Sequence, residues 1–130
     1  HLIARGMGRS YGDSALSNHT IISTQRFHRL LMFNDQTGVL KCESGTTLAE
    51  ILDVFVPNGW FLSVTPGTKF VSVGGAVASN VHGKNHHKVG AFSSSVLMFT
   101  LLLASGQIIE CSRSVNSQLF LSQISLSSFK

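Results

Sequence analysis

Residues 82 to 88, His-Gly-Lys-Asn-His-His-Lys, place three imidazoles and two ammonium groups in one short stretch with no carboxylate among them. Such a set suits one of two chemistries. His82 and His86 have the His-x-x-x-His spacing that puts two metal ligands on one helix face. Gly83 and Asn85 argue against a helix there, and no third acidic or cysteine ligand lies close by, so a metal site is disfavoured. The other chemistry is an electropositive bed for an anion. A solvated loop accounts for His86 and His87, whereas His82 and Lys84 are better placed to face a ligand. Either could stabilise negative charge on a reduced ring or a phosphate.

What precedes this stretch favours the anion. Residues 65 to 80, TPGTKFVSVGGAVASN, carry Gly67 and then Gly74, Gly75, Ala76, Ala78 and Ser79, all small enough for a flat or elongated ligand to lie on the backbone. Ser72 is a helix N-cap, and a helix N-terminus favours negative charge. A second glycine loop, ARGMGRSYGD, occupies residues 4 to 13. Its glycines permit positive φ and successive N–H groups in such a loop form an anion nest. Arg5, Arg9 and the Ser10 hydroxyl add donors. The spacing Gly6-x-Gly8-x-x-x-Gly12 is not the dinucleotide fingerprint of a Rossmann fold. Alone, each loop is equally an ordinary turn or a helix-packing contact. Together they favour a dinucleotide-like ligand, and Gly8→Val or Gly74→Val is expected to fill the ligand's space.

These loops need elements to hold them. Leu2 to Ala4 reads as the end of a buried strand and Thr20 to Ser23 as a short one. Residues 28 to 45 form two strands about an Asn-Asp-Gln-Thr-Gly turn. Thr47-Leu-Ala-Glu50 is a capping box for a helix to Phe55, ended by Pro57-Asn58-Gly59. Trp60 to Val64 is short and apolar. Ser72 starts a helix to about Asn80, Val96–Leu103 and Gln107–Cys111 make a hairpin, and Asn116 starts a last helix. The order implies an α+β domain with a largely antiparallel sheet.

Composition agrees with one folded domain. The 130 residues are 43% hydrophobic, only 12% charged, and carry a net charge of +4. So few charges suggest a surface with part of it covered. The charge is too mild and too dispersed for nucleic-acid binding, which normally shows a basic stripe. Cys42 and Cys111 read as separate buried thiols of a reducing compartment. The longest apolar run, Val96 to Ala104, is too short to span a membrane, and no signal peptide is visible, consistent with a cytoplasmic or membrane-associated protein.

The runs ARGMGRSYGDSAL, TPGTKFVSVGGAVASNVHGKNHHKVGAF and LLLASGQIIECS, collinear over residues 1 to 121, resemble the FAD-binding domain of the vanillyl-alcohol-oxidase superfamily. They are most similar to its sugar and aldonolactone branch, which contains decaprenylphosphoryl-β-D-ribose oxidase. The resemblance implies a PCMH-type FAD-binding domain of two α/β subdomains with mixed or antiparallel sheets. Residues 1–30 correspond to the end of the first subdomain, 31–121 to the second, and 122–130 to a divergent tail. Carried over, Ala4, Arg5, Gly6, Met7, Gly8, Arg9, Ser10, Tyr11, Gly12, Asp13 and Ser14 match the pyrophosphate loop. Gly67, Ser72, Val73, Gly74 and Gly75 match a second set of FAD contacts. Ser79, Asn80, Val81 and His82 match a strand-like stretch along the flavin. Tyr11, His82 and Lys84 match positions near the flavin and substrate, and are the candidate catalytic residues. Many relatives carry a histidine, covalently bonded to the flavin, at Arg9, so the resemblance implies non-covalent FAD here.

The implied reaction is hydride transfer from a secondary alcohol of a sugar, a polyprenyl-phosphate sugar or an aldonolactone to flavin N5. The base and most substrate contacts often belong to a second, substrate domain, which is expected outside these residues. The family pattern breaks at LSQISLSSFK and before Leu2, so a cofactor domain incomplete at both ends is expected. Two other readings stay open: a non-catalytic remnant of such an enzyme, and a nucleotide- or anion-binding module.

Overall fold

The computed structural model describes residues 2–125. Strand β1 (Leu2–Arg5) pairs in parallel with β2 (Thr20–Ser23), from Leu2 opposite Thr20 to Arg5 opposite Ser23. The long 6–19 connection between them is the first glycine loop. β3 (Leu30–Asn34) and β4 (Val39–Cys42) form an antiparallel hairpin with a bulge between Leu30 and Met32. Its turn is built locally: Asn34 Oδ1 accepts from the N–H groups of Gln36 and Thr37 at 2.9 and 3.0 Å. Gly38 takes φ +70°, and Trp60 lies so close that a Cβ there would come within 2.5 Å of its ring.

Helix α1 (Leu48–Phe55) starts at the expected capping box. Glu50 N donates to Thr47 Oγ1 at 3.1 Å, and Thr47 N donates to Glu50 Oε2 at 2.7 Å. Each partner satisfies a donor the helix cannot, and such a cap contributes about 0.5–2 kcal/mol. A 3-10 turn (Val56–Asn58) and Gly59 at φ 83° end it. Helix α2 (Val73–Ala78) follows Ser72, α3 (His86–Val89) lies beyond the second loop, and Phe92–Ser95 is another 3-10 turn. β5 (Met98–Leu102) and β6 (Ile108–Ser112) make the second antiparallel hairpin, and α4 (Ser117–Ser125) closes the order.

The core is small and lies between α1 and α2. Leu48, Ile51, Val64, Ala76 and Phe92 form it, with Leu40, Phe55, Val73, Val77 and Val96 packed around them. A second cluster joins Cys111 to Phe120 of α4, whose ring stacks on Phe99 at 5.3 Å. The period-2 alternation of β5 and β6 turns Phe99, Leu101 and Cys111 inward and leaves Met98, Leu102 and Ile108 exposed.

The architecture is α+β, with several corrections to the expectations. The sheets are mixed or antiparallel as expected, but they are three separate two-stranded sheets among the described residues rather than one, with β1–β2 parallel and the other two antiparallel. β1 is not buried; Leu2 is 62% exposed. α2 ends at Ala78, because Asn80 adopts φ 40°, and Ser79 to His82 therefore turns instead of running as a strand. Asn116, at φ 49°, does precede the last helix, which runs through Ser125 into the divergent tail. The remainder of that tail, residues 126–130, lies outside the described residues.

Candidate functional site

The two helix starts are stitched to each other. Thr47 and Ser72, the N-caps of α1 and α2, pair as an antiparallel β-bridge. Leu48 N and Ala49 N donate to the carbonyls of Val71 and Lys69 at 3.0 and 2.9 Å. In return, Val73 N donates to Thr46 O and Gly74 N to Ser44 O, both at 2.7 Å. Gly75 N donates to Ser72 Oγ at 3.3 Å. The first-turn donors of α2 are therefore occupied by the protein itself. This corrects the expectation of an open helix N-terminus at Ser72 to Gly75: a ligand there meets backbone and small side chains, not free amides.

The first glycine loop is the opposite case. The N–H groups of Met7 to Ala15 donate to no acceptor among the described residues. Gly8 and Gly12 take φ +63° and +56°, which breaks any regular ladder and turns the chain tightly. Ser14 Oγ donates to the Tyr11 carbonyl at 3.1 Å, and Leu16 N to the Asp13 carbonyl at 2.9 Å. Arg9 and Ser10 are exposed, and Tyr11 is 99% exposed. The ion pairs of the described residues join His28 to Glu50, Arg29 to Glu43 and Lys69 to Asp53, so Arg5, Arg9 and Lys84 keep their charge uncompensated by a carboxylate. Arg5 Nη1 donates instead to the Ala15 carbonyl at 3.3 Å.

The two loops meet at Ser72, which is 3% exposed. Gly6 lies so close that a Cβ on it would collide with the Ser72 hydroxyl. The expected effect of the two valine substitutions needs correction for the same reason. A Cβ on Gly74 would come within 2.9 Å of Ser44 Cβ, and one on Gly8 within 2.7 Å of Arg5 Nη2. The space beside both is filled by protein. Gly67, by contrast, has nothing within 4 Å of where its Cβ would be.

Beyond α2, Asn80 holds the chain rather than facing outward: its Oδ1 accepts from Ser93 N at 3.0 Å. Val81 is half-buried, and its carbonyl accepts from Phe92 N at 2.8 Å. His82 and Lys84 are exposed. The loop is pinned by Asn85 Nδ2 donating to Ser63 O at 3.1 Å, and by Gly83, which is buried against the Thr65 carbonyl. His86 and His87 do enter a helix, α3, which begins directly after Asn85; the expected disruption holds only through that residue. The His82 and His86 rings meet edge to face at 5.4 Å, and His86 Nδ1 lies 3.2 Å from the Gly83 carbonyl. No hydrogen bond or ring contact joins Tyr11 to His82 or Lys84 among the described residues.

The frame around the site carries the perturbed groups. The Thr47 backbone N–H and hydroxyl, and then His28, hold Glu50 below its usual range. Arg29 does the same to Glu43 through a 2.7 Å ion pair. Burial pushes the Cys42 thiol up, opposed by the Thr46 hydroxyl. Thr46 is wholly buried, and its Oγ1 makes no hydrogen bond among the described residues. Ser44, Thr46 and Thr24, whose carbonyl crowds Gly45, were not expected to shape the site. Their contacts come from segments distant in sequence and leave no local pattern.

Among known proteins, residues 1–112 match the FAD binding domain family. Decaprenylphosphoryl-beta-D-ribose oxidase of Mycolicibacterium smegmatis is 37% identical over 108 residues, covering 82% of this chain and 24% of that protein. L-gulonolactone oxidase of Bos taurus is 30% identical over 115 residues, covering 88% of this chain and 26% of that one. Among solved structures, a carbohydrate oxidase from Microdochium nivale in complex with a substrate analogue superposes with a TM-score of 0.82 at 26% identity, over 94% of this chain and 26% of its own. Glucooligosaccharide oxidase from Acremonium strictum, described with a 6-S-cysteinyl, 8α-N1-histidyl FAD, gives 0.78 at 25% identity, with the same coverage. The chain spans about a quarter of the length of these relatives.

Proposed function

Because this chain belongs to the FAD binding domain family and has the fold of PCMH-type flavoenzymes, we propose that it seats the FAD of an oxidoreductase acting on CH–OH groups of a sugar, a lipid-linked sugar or a lactone. The observation that carries this reading is the run of N–H groups from Met7 to Ala15 that meet no acceptor among the described residues, beside Arg9, which pairs with no described carboxylate. Successive amides without protein acceptors are donors free for an anion, and a diphosphate is the acceptor this set fits. FAD, when bound, supplies a flavin ring that takes a hydride from a carbinol C–H.

The chain's own residues have the following roles. Met7 to Ser14 hold the diphosphate by their amides, aided by the Arg9 guanidinium and the Ser10 hydroxyl. Gly67, Gly75 and Ser79, all exposed, let an extended ligand approach the backbone. Ser72, Val73 and Gly74 shape this floor from behind: the Val73 and Gly74 N–H groups are taken by the Thr46 and Ser44 carbonyls, and Ser72 Oγ accepts from Gly75 N. His82 and Lys84 supply donors and positive charge where negative charge develops, and Tyr11 a phenol to orient a hydroxyl. The flavin is held non-covalently, since arginine at position 9 offers no nucleophilic ring nitrogen comparable to the histidyl link named for the glucooligosaccharide oxidase.

The test is a visible absorption spectrum of the purified chain after incubation with FAD and removal of unbound flavin. Retained flavin bands are expected. Their absence at saturating FAD would remove the reading.

A further inference from the structure

We propose that Arg5 is a positioning residue: it straps the 6–15 loop into its ligand-ready shape from within, and does not itself contact the ligand. The inference deepens the reading of that loop as a diphosphate seat and rests on it. Arg5 is the last residue of β1, and its carbonyl is anchored by Thr24, whose N–H and Oγ1 donate to it at 2.9 and 3.3 Å. From this fixed base the half-buried side chain turns under the loop. Nη1 reaches the Ala15 carbonyl at 3.3 Å. The guanidinium also lies against Gly8: a Cβ there would stand 2.7 Å from Nη2, 3.3 Å from Cζ and 3.5 Å from Nε. One rigid fork therefore touches the loop at two places, Gly8 near its start and Ala15 at its end.

Two other contacts hold the loop, both at its start: Gln25 Nε2 donates to the Gly6 carbonyl at 3.3 Å, and Gly6 lies against Ser72. Within it, the hydrogen bonds among the described residues are Ser14 Oγ to Tyr11 O and Leu16 N to Asp13 O, both near its far end. A segment whose amides have no protein partner keeps one conformation only if something non-local holds it, and ordering it on binding would weaken affinity. The planar guanidinium, with five donors in fixed geometry, can bond one carbonyl through one nitrogen while another lies against a glycine; a lysine ammonium, a single point charge, cannot do both. Gly8 is thus required by a protein contact, in addition to its left-handed φ.

The test uses the full chain and compares wild type with Arg5→Lys, Arg5→Gln and Arg9→Gln. ¹⁵N relaxation without FAD is measured first. The amides of residues 7–14 should be ordered in wild type, near the rigid-backbone value of about 0.85, and drop below about 0.6 in both Arg5 variants. Arg9→Gln should leave them ordered, and Leu48 to Phe55 should stay rigid throughout. FAD titrations over a range of salt follow. Both Arg5 variants should bind about tenfold more weakly with an unchanged salt dependence, whereas Arg9→Gln should flatten it. A loop that stays ordered in Arg5→Lys, or is already mobile in wild type, overturns the strap. So does a flattened salt dependence in Arg5→Gln, which would make Arg5 a ligand contact. If Arg5→Gln loses order at Leu48 to Phe55, Arg5→Lys decides alone. Failure of wild type to take up FAD would refute the diphosphate reading, while the relaxation data still decide the strap.

Discussion

The hydroxyl of Ser72 stands where a side chain on Gly6 would begin. Through this one contact the loop after β1 rests on the N-cap of α2, and Ser72 is at once cap, β-bridge partner and seat for the loop. Gly6→Ala should destabilise the fold by about 1–3 kcal/mol, as overpacking does. Ser72→Ala removes the cap and should cost about 0.5–2 kcal/mol. In the double variant the collision with the hydroxyl is gone, so the combined loss should be smaller than the sum. Urea unfolding of all four proteins measures this coupling; strict additivity would show that the contact carries no strain.

Gly67 and Gly74 should separate ligand space from protein space. Gly67→Val adds a side chain into open volume, so Tm should stay within a degree or two while flavin affinity falls about tenfold or more. Gly74→Val drives atoms into Ser44 and should lower Tm whether or not FAD is present. Thermal melts with and without FAD discriminate the two; a Gly67→Val protein that binds FAD normally would take the ligand away from that surface.

Acid stability should depend on Glu50. Its folded pKa is depressed, chiefly by the Thr47 N–H and hydroxyl, so its contribution is complete above its ordinary value of 4.5 and is lost as pH falls through the lower folded value. Glu50 is 43% exposed, and solvent screening keeps the effect below about 1 kcal/mol. Glu50→Gln retains the capping geometry without a titrating proton. Its urea midpoint should therefore fall less than that of wild type between about pH 6 and about pH 3. Parallel curves would assign the acid sensitivity elsewhere, with Glu43 the next carboxylate to test.

Acid precipitation of the flavin-loaded chain should leave the yellow colour in the supernatant. The proposed non-covalent seat rests on arginine at position 9, and free FAD in solution is the outcome expected from it. Flavin that pellets with the protein would mean a bond at another side chain.

Features decided by neighbours in the chain are legible in the sequence. The Thr47–Glu50 box, the Ser72 cap and the Asn34–Gly38 turn all form where their residues predict them, because their hydrogen bonds close within a few residues. The two glycine loops are legible as well, since left-handed φ at Gly8 and Gly12 needs that residue type. What the sequence hides is which donors remain free. Val73 and Gly74 give theirs to Thr46 and Ser44, segments far away in sequence, so a helix start that looks open is closed. The role of Arg5 is hidden in the same way: an arginine in a glycine loop reads as ligand charge, and only its reach to Ala15 and Gly8 shows another use. Asn80 reads locally as the end of the helix begun at Ser72, and by resemblance as part of a strand-like stretch; nothing local reveals its bond to Ser93.

The paired but open strands have a practical outcome for anyone handling the protein. Among the described residues, three separate two-stranded ribbons leave unpaired edges, and the β5–β6 ribbon adds Met98, Leu102 and Ile108 on its outer face, the last two 64% and 69% exposed. Unpaired edges flanked by apolar side chains are templates for strand addition. Strand addition at these ribbons is the expected route of self-association for this chain, and light scattering below the melting temperature reads the concentration threshold for it. Leu102→Lys or Ile108→Lys, a charge on the outer face that touches neither the core nor the glycine loops, is the direct way to raise that threshold.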